Sequence, residues 1–179
     1  MSELSPARLW LMRAGYIALG LAIIFFQLLP LETMPRRFAG PDLLLGFTCA
    51  WAVRRPEFTP ALSIAGLMLI ADMLFQRPPG LFAALTLLGT GALKRRAAGL
   101  RDQTFAVEWL TVSLSFIAIL LAYRLILSIL LIPQAPLGLS VIQVAMTVVT
   151  YPLIALITGA LFGVQKSQPG DVDTMGGRA

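Results

Sequence analysis

Residues 137–164 read LGLSVIQVAMTVVTYPLIALITGALFGV, with no charged side chain from Leu137 to Val164. Crossing the roughly 30 Å hydrocarbon core of a bilayer takes about 20 residues of helix. This stretch exceeds that length. In water it would leave an apolar rod that a small protein cannot cover. Residues 108–132, EWLTVSLSFIAILLAYRLILSILLI, repeat the pattern and end at Pro133. The reading that follows from these two stretches is an all-α helix bundle in a membrane.

Working outward, four further apolar runs precede them. Trp10 to Leu29 ends at Pro30. Gly40 to Val53 opens on Pro41-Asp42 and closes at Arg54-Arg55-Pro56. Pro60 to Gln76 ends at Arg77-Pro78-Pro79, and Gly80 to Leu93 stops at Lys94-Arg95-Arg96. The expected architecture is a polytopic bundle of six transmembrane helices over residues 10–164. Residues 1–9 form an N-terminal cytoplasmic segment, and residues 165–179 form a polar, Gly-rich tail expected to be disordered in the cytoplasm. Hydrophobic residues make up 58% of the chain and charged residues 13%, against roughly 25% charged in a soluble domain.

The net charge of +5 does not point to nucleic acid, because the cations sit in short clusters between apolar runs. That placement follows the positive-inside rule. Six crossings with the N-terminus inside put only Arg36, Arg37 and Arg77 outside, apart from Arg124 within a run. Four crossings, with the two short runs not spanning, would move Arg54 and Arg55 out and Arg77 in, weakening the bias. The first run has no small-residue cleavage site near Phe25-Phe26-Gln27-Leu28-Leu29-Pro30 and is expected to be retained as a helix.

Catalysis and metal chemistry find little in the composition. There is no histidine and one cysteine, Cys49, inside an apolar run. That leaves no intrachain disulfide, no thiolate metal site and no Ser-His or Cys-His pair. No Gly-rich phosphate loop or other cofactor motif is present. A non-enzyme without a cofactor is expected.

Polar residues inside the apolar runs are the candidate functional positions. Arg124 lies near mid-depth of the fifth run, where insertion costs about 2.5–3.5 kcal/mol. It reads either as a structural ion pair between helices or as a substrate, partner or gating contact. Asp72, late in the third run, is its expected partner. Asp42 reads as a helix-start acid favoured by the dipole. Ser140, Gln143, Thr147 and Thr150 form a polar stripe on the sixth helix, suited either to interhelical hydrogen bonds or to lining a cavity. Pro152 should kink that helix near Val148. Lys94, Arg95, Arg96 and Arg101 form a basic cytoplasmic loop that sets topology or meets anionic lipid or a partner. Ala14, Ala18 and Ala22, and likewise Ala61 and Ala65, are small-residue rows where helices approach closely.

The order of features resembles the rod shape-determining protein MreD family. The residues that carry the resemblance are Pro41-Asp42-Leu43-Leu44-Leu45, Arg54-Arg55-Pro56, Gly66 to Leu74 with Asp72 late in it, Pro79-Gly80-Leu81, and Tyr151-Pro152-Leu153. They span residues 38–164. The chain departs from the common pattern in Leu69-Ile70-Ala71-Asp72, where a Leu-Leu-Asp run is usual, and in the longer turn Gln76 to Gly80. The resemblance implies a non-catalytic inner-membrane subunit of the bacterial cell-elongation machinery. Its partners would be bitopic MreC and, in a larger complex, the RodA glycosyltransferase, a penicillin-binding transpeptidase and the actin-like filament protein. It also implies a fold like the membrane substrate-binding components of energy-coupling-factor vitamin transporters. A small-molecule transporter subunit of that kind is the competing expectation, with Arg124 and the polar stripe lining its pocket.

Overall fold

The computed structural model describes residues 6–29, 39–101 and 103–162. Among these the chain is all-helical, with six α-helices: α1 Pro6–Leu28, α2 Leu43–Arg54, α3 Ala61–Leu74, α4 Leu81–Arg101, α5 Phe105–Ile129 and α6 Leu137–Phe162. A 3-10 turn at Pro56–Phe58 joins α2 to α3. Three helices, α1, α5 and α6, are long and apolar enough to cross a membrane. Their outward faces carry exposed Trp10, Phe25, Phe26, Leu114, Leu121, Leu125, Val149, Leu156 and Leu161. Apolar exposure on that scale fits hydrocarbon rather than water as the surrounding solvent.

Helix α2 is the hub. Every residue from Leu44 to Val53 is buried, which explains a run apolar on all sides instead of along one stripe. It packs on α1, α4 and α6. On one side Tyr16, Ile24, Phe47, Trp51, Ile64 and Met68 form a core cluster. Tyr16 stacks on Phe47 with ring centroids 5.3 Å apart, and its hydroxyl bonds Thr48 Oγ1 at 3.1 Å. On the other side Cys49, Val53, Leu93, Val112, Phe116 and Tyr151 form a second cluster. Close approach needs glycine at Gly46, where a Cβ would stand 2.7 Å from Ile154 Cδ1. Gly89 plays the same part against Ile119. In lipid such packing replaces the hydrophobic drive that water would supply.

Helix α2 is about 18 Å long and α3 about 21 Å at a 1.5 Å rise per residue, both shorter than the hydrocarbon core. The fourth run corrects the sequence expectation. Its helix does not stop at Lys94 but continues to Arg101, so Lys94, Arg95 and Arg96 lie on a helix and not in a loop. Ala, Leu, Lys and Arg are strong helix formers, and Leu93, Ala97 and Leu100 bury one face of the extension. Helix α1 also begins earlier than expected, at Pro6. Residues 1–5, the segment carrying Arg36 and Arg37, and the tail from residue 163 with Lys166 and Arg178 lie outside the described residues, as does the side chain of Arg101.

The helices alternate in direction between two polar ends. One end gathers Asp42, Asp72, Arg77, Arg124 and Ser140. The other gathers Arg13, Arg54, Glu57, Lys94 and Glu108. At the latter, Arg13 Nε donates to the Glu57 carbonyl at 3.2 Å and Lys94 Nζ donates to the Thr59 carbonyl.

Candidate functional site

The site is built from the start of α2 and the ends of α3 and α5, with α4 and α6 completing its walls. Pro41 and Asp42 start α2, where Asp42 Oδ1 accepts from Leu45 N–H at 3.0 Å. This is the helix-start role expected of Asp42. Its own N–H donates to Thr147 Oγ1 at 2.8 Å, pinning α2 to α6. Helix α3 ends with Gln76 at φ 55°. There Arg77 N–H bonds the Asp72 carbonyl at 2.9 Å and Gln76 N–H bonds the Met73 carbonyl at 3.4 Å. That is the Schellman arrangement, made here without glycine. Helix α5 ends the same way, with Leu131 at φ 54° and Ile132 N–H on the Leu127 carbonyl at 3.0 Å.

These ends enclose a cavity of about 630 Å³, within the usual range for a ligand site. Arg77, Arg124, Asp42, Gln76, Gln134 and Gln143 give it polar groups; Phe82, Phe116, Ile119, Leu120, Leu127 and Val144 give it apolar walls. A second cavity of about 630 Å³ toward α1 shares Asp42, Gln76, Arg77, Ser140 and Gln143 with the first.

Arg124 and Asp72 both belong to this end, but the expected ion pair between them is not formed. Arg124 NH1 donates to the Ala135 carbonyl at 3.1 Å and to Ser140 Oγ at 2.7 Å. The segment after α5 folds back over it, and Gln134 Nε2 donates to the Arg124 carbonyl at 3.1 Å. Asp72 turns to the start of α4 instead. Its Oδ2 accepts from Gly80 N–H and Ala83 N–H, each at 3.1 Å. The carboxylate, fully buried, therefore caps the first turn of α4, where unsatisfied N–H groups and the helix dipole favour an anion. These two N–H donors stand where a guanidinium was expected, and both fall on Oδ2; Oδ1 has no hydrogen-bond partner among the described residues.

Arg77 is the cation that sequence reasoning passed over. It sits 3.7 Å from Asp42 Oδ2, and its guanidinium lies 4.6 Å from the Phe82 ring centroid and 5.3 Å from that of Phe75. Its place directly after the α3 cap was the available signal. Of the α6 stripe, Ser140, Gln143 and Thr147 line the cavity, whereas Thr150 bonds the Met146 carbonyl of its own helix at 2.7 Å. The Ala14-Ala18-Ala22 row is not a packing face inside the bundle. Ala14 and Ala18 are exposed, and Tyr16, Gly20 and Ile24 face inward.

A separate buried tie escaped the sequence reading. Glu108 Oε1 accepts from Arg54 Nε and Tyr151 Oη, both at 2.9 Å, and Arg54 NH1 donates to the Ala155 carbonyl at 2.9 Å. It joins α2, α5 and α6 at the end opposite the cavity.

No family model, curated protein or solved structure matches this chain.

Proposed function

We propose that the chain is a non-catalytic, multi-pass subunit of the bacterial cell-elongation machinery, an MreD-type partner of MreC in the cytoplasmic membrane. The observation that carries this reading is where the resembling motifs fall. Pro41-Asp42 caps α2, Arg54 ties its far end to Glu108, Asp72 reaches Gly80 to cap α4, and Tyr151 joins the Arg54–Glu108 pair. Each motif is a joint of one bundle, which gives a physical reason for its residues. All six helices cross in this reading, the short α2 and α3 being shielded by their neighbours. Both termini are cytoplasmic, so the Arg54–Lys94 end faces inward. Six crossings leave little protein outside lipid, and recognition runs through helix faces. The exposed Ala14 and Ala18 offer the single helix of MreC a surface for close approach. RodA, the transpeptidase and the filament protein join through that larger assembly.

The test is detergent pull-down of the tagged full chain with identification of membrane partners, beside depletion in the native host. Recovery of MreC, its loss with Ala18→Leu, and rounding of rod-shaped cells are expected. Depleted cells that stay rod-shaped would contradict the proposal.

One observation favours the second reading, a substrate-binding subunit of a small-molecule transporter. The cavity has convergent polar groups, as a binding subunit needs. Co-purification of a transport ATPase in place of MreC would decide for it.

A further inference from the structure

The cavity holds two guanidinium groups, Arg77 and Arg124, against one carboxylate, Asp42. Asp42 is engaged with Arg77 and with the first turn of α2. Arg124 bonds only neutral oxygens among the described residues, those of Ala135 and Ser140. Asp72, the acid that would have neutralised it, is held by the N–H groups of α4. Arg124 lies five residues inside the end of α5, about 7–8 Å deep at the helical rise and not at the mid-depth expected from its run, and a cation at that depth without a counter-ion is still disfavoured in an apolar span. Its surroundings are amphipathic. Ser140, Gln134 and Gln143 lie beside it, and Phe116, Ile119, Leu120 and Val144 continue the wall.

We infer that this cavity binds a lipid with an anionic, phosphate-bearing headgroup, the phosphate seated against Arg124 and Arg77 and the acyl chain along Phe116, Ile119, Leu120 and Val144. Guanidinium matches phosphate in charge and in the geometry of paired donors. A soluble phosphate would satisfy the arginines but not the apolar wall. A neutral lipid would cover the wall and leave Arg124 uncompensated. The inference is independent of whether the chain serves wall elongation or transport.

Native mass spectrometry of the purified full chain in detergent tests it with three probes: dioleoyl phosphatidic acid, dioleoylglycerol and glycerol 3-phosphate. Saturable one-to-one binding of phosphatidic acid is expected, with Arg124→Gln and Arg77→Gln each weakening it by about tenfold and Arg124→Lys, which keeps the charge but loses the paired donors, weakening it less. Equal binding of dioleoylglycerol would show that only tails are held. Equal binding of glycerol 3-phosphate would show a soluble occupant. Undiminished binding in both glutamine variants would place the lipid elsewhere. Each of these three results overturns the inference. Should a variant fail to fold, a photoactivatable phosphatidic acid on the wild-type chain serves instead. Labelling of the peptides carrying Tyr123 and Val144 supports the site, and labelling confined to the outward face of α1 overturns it.

Discussion

Trp109 Nε1 donates to the backbone carbonyl of Val148 at 2.9 Å. Val148 stands four residues before Pro152, so its carbonyl is the one that proline deprives of a helical N–H partner. The indole from α5 takes over that bond. An unpaired carbonyl in lipid finds no water, and the contact thus makes Pro152 tolerable within α6. Trp109→Phe should lower stability by about 1–2 kcal/mol, read as thermal unfolding in detergent. Pro152→Ala in the same chain should recover much of the loss. Equal losses with and without Pro152 would dissociate the two residues.

The Arg54–Glu108 pair predicts an asymmetric mutational pattern. Glu108 is buried and the Arg54 side chain is 12% exposed. Removing one partner strands the other, at a cost of about 3–5 kcal/mol, whereas joint replacement by apolar residues is often neutral. Arg54→Ala and Glu108→Ala should each reduce the yield of monodisperse protein sharply. Arg54→Met combined with Glu108→Leu should restore most of it, as measured by size-exclusion profile.

Asp72 should behave as a helix cap. Asp72→Ala is expected to cost about 1–2 kcal/mol, and Asp72→Asn less, since an amide oxygen still accepts. The exchange Arg124→Asp with Asp72→Arg should be worse than either single change. It would place a cation at the α4 N-terminus and a carboxylate beside the Ala135 carbonyl. Rescue by that exchange would restore the ion pair to consideration.

The two left-handed helix ends carry removable strain. Leu131 is 90% exposed and contributes little packing, yet adopts φ 54°. Leu131→Gly should stabilise the chain by about 1 kcal/mol, the usual cost of that conformation for a residue with a Cβ. Gln76→Gly should do the same, with both read by thermal unfolding.

The helices were legible in the sequence because an apolar run of the right length has few other fates. Where charges entered a helix, the signal failed. Lys94 to Arg101 looked like a loop because it is basic, yet its Leu93, Ala97 and Leu100 face packs inward. Arg124 stood out as costly, but its partners, Ala135 in the turn and Ser140 at the start of α6, are brought to it by a folding-back over α5 that has no local pattern. Asp72 was visible as a buried acid, whereas its choice of Gly80 and Ala83 depends on the tight turn between α3 and α4. Glu108 and Arg54 lie 54 positions apart, a separation at which neither residue announces the other.

In the proposed six-span arrangement, α4 carries the chain from the Arg77 side of the bilayer to the Arg95 side. The most direct measurement is sided labelling in vesicles of a Cys49→Ser chain bearing one new cysteine at Pro79, Ala135 or Gly99, all exposed positions. An impermeant maleimide should label Pro79→Cys and Ala135→Cys from one side and Gly99→Cys only from the other. Labelling of Pro79→Cys and Gly99→Cys from the same side would contradict it.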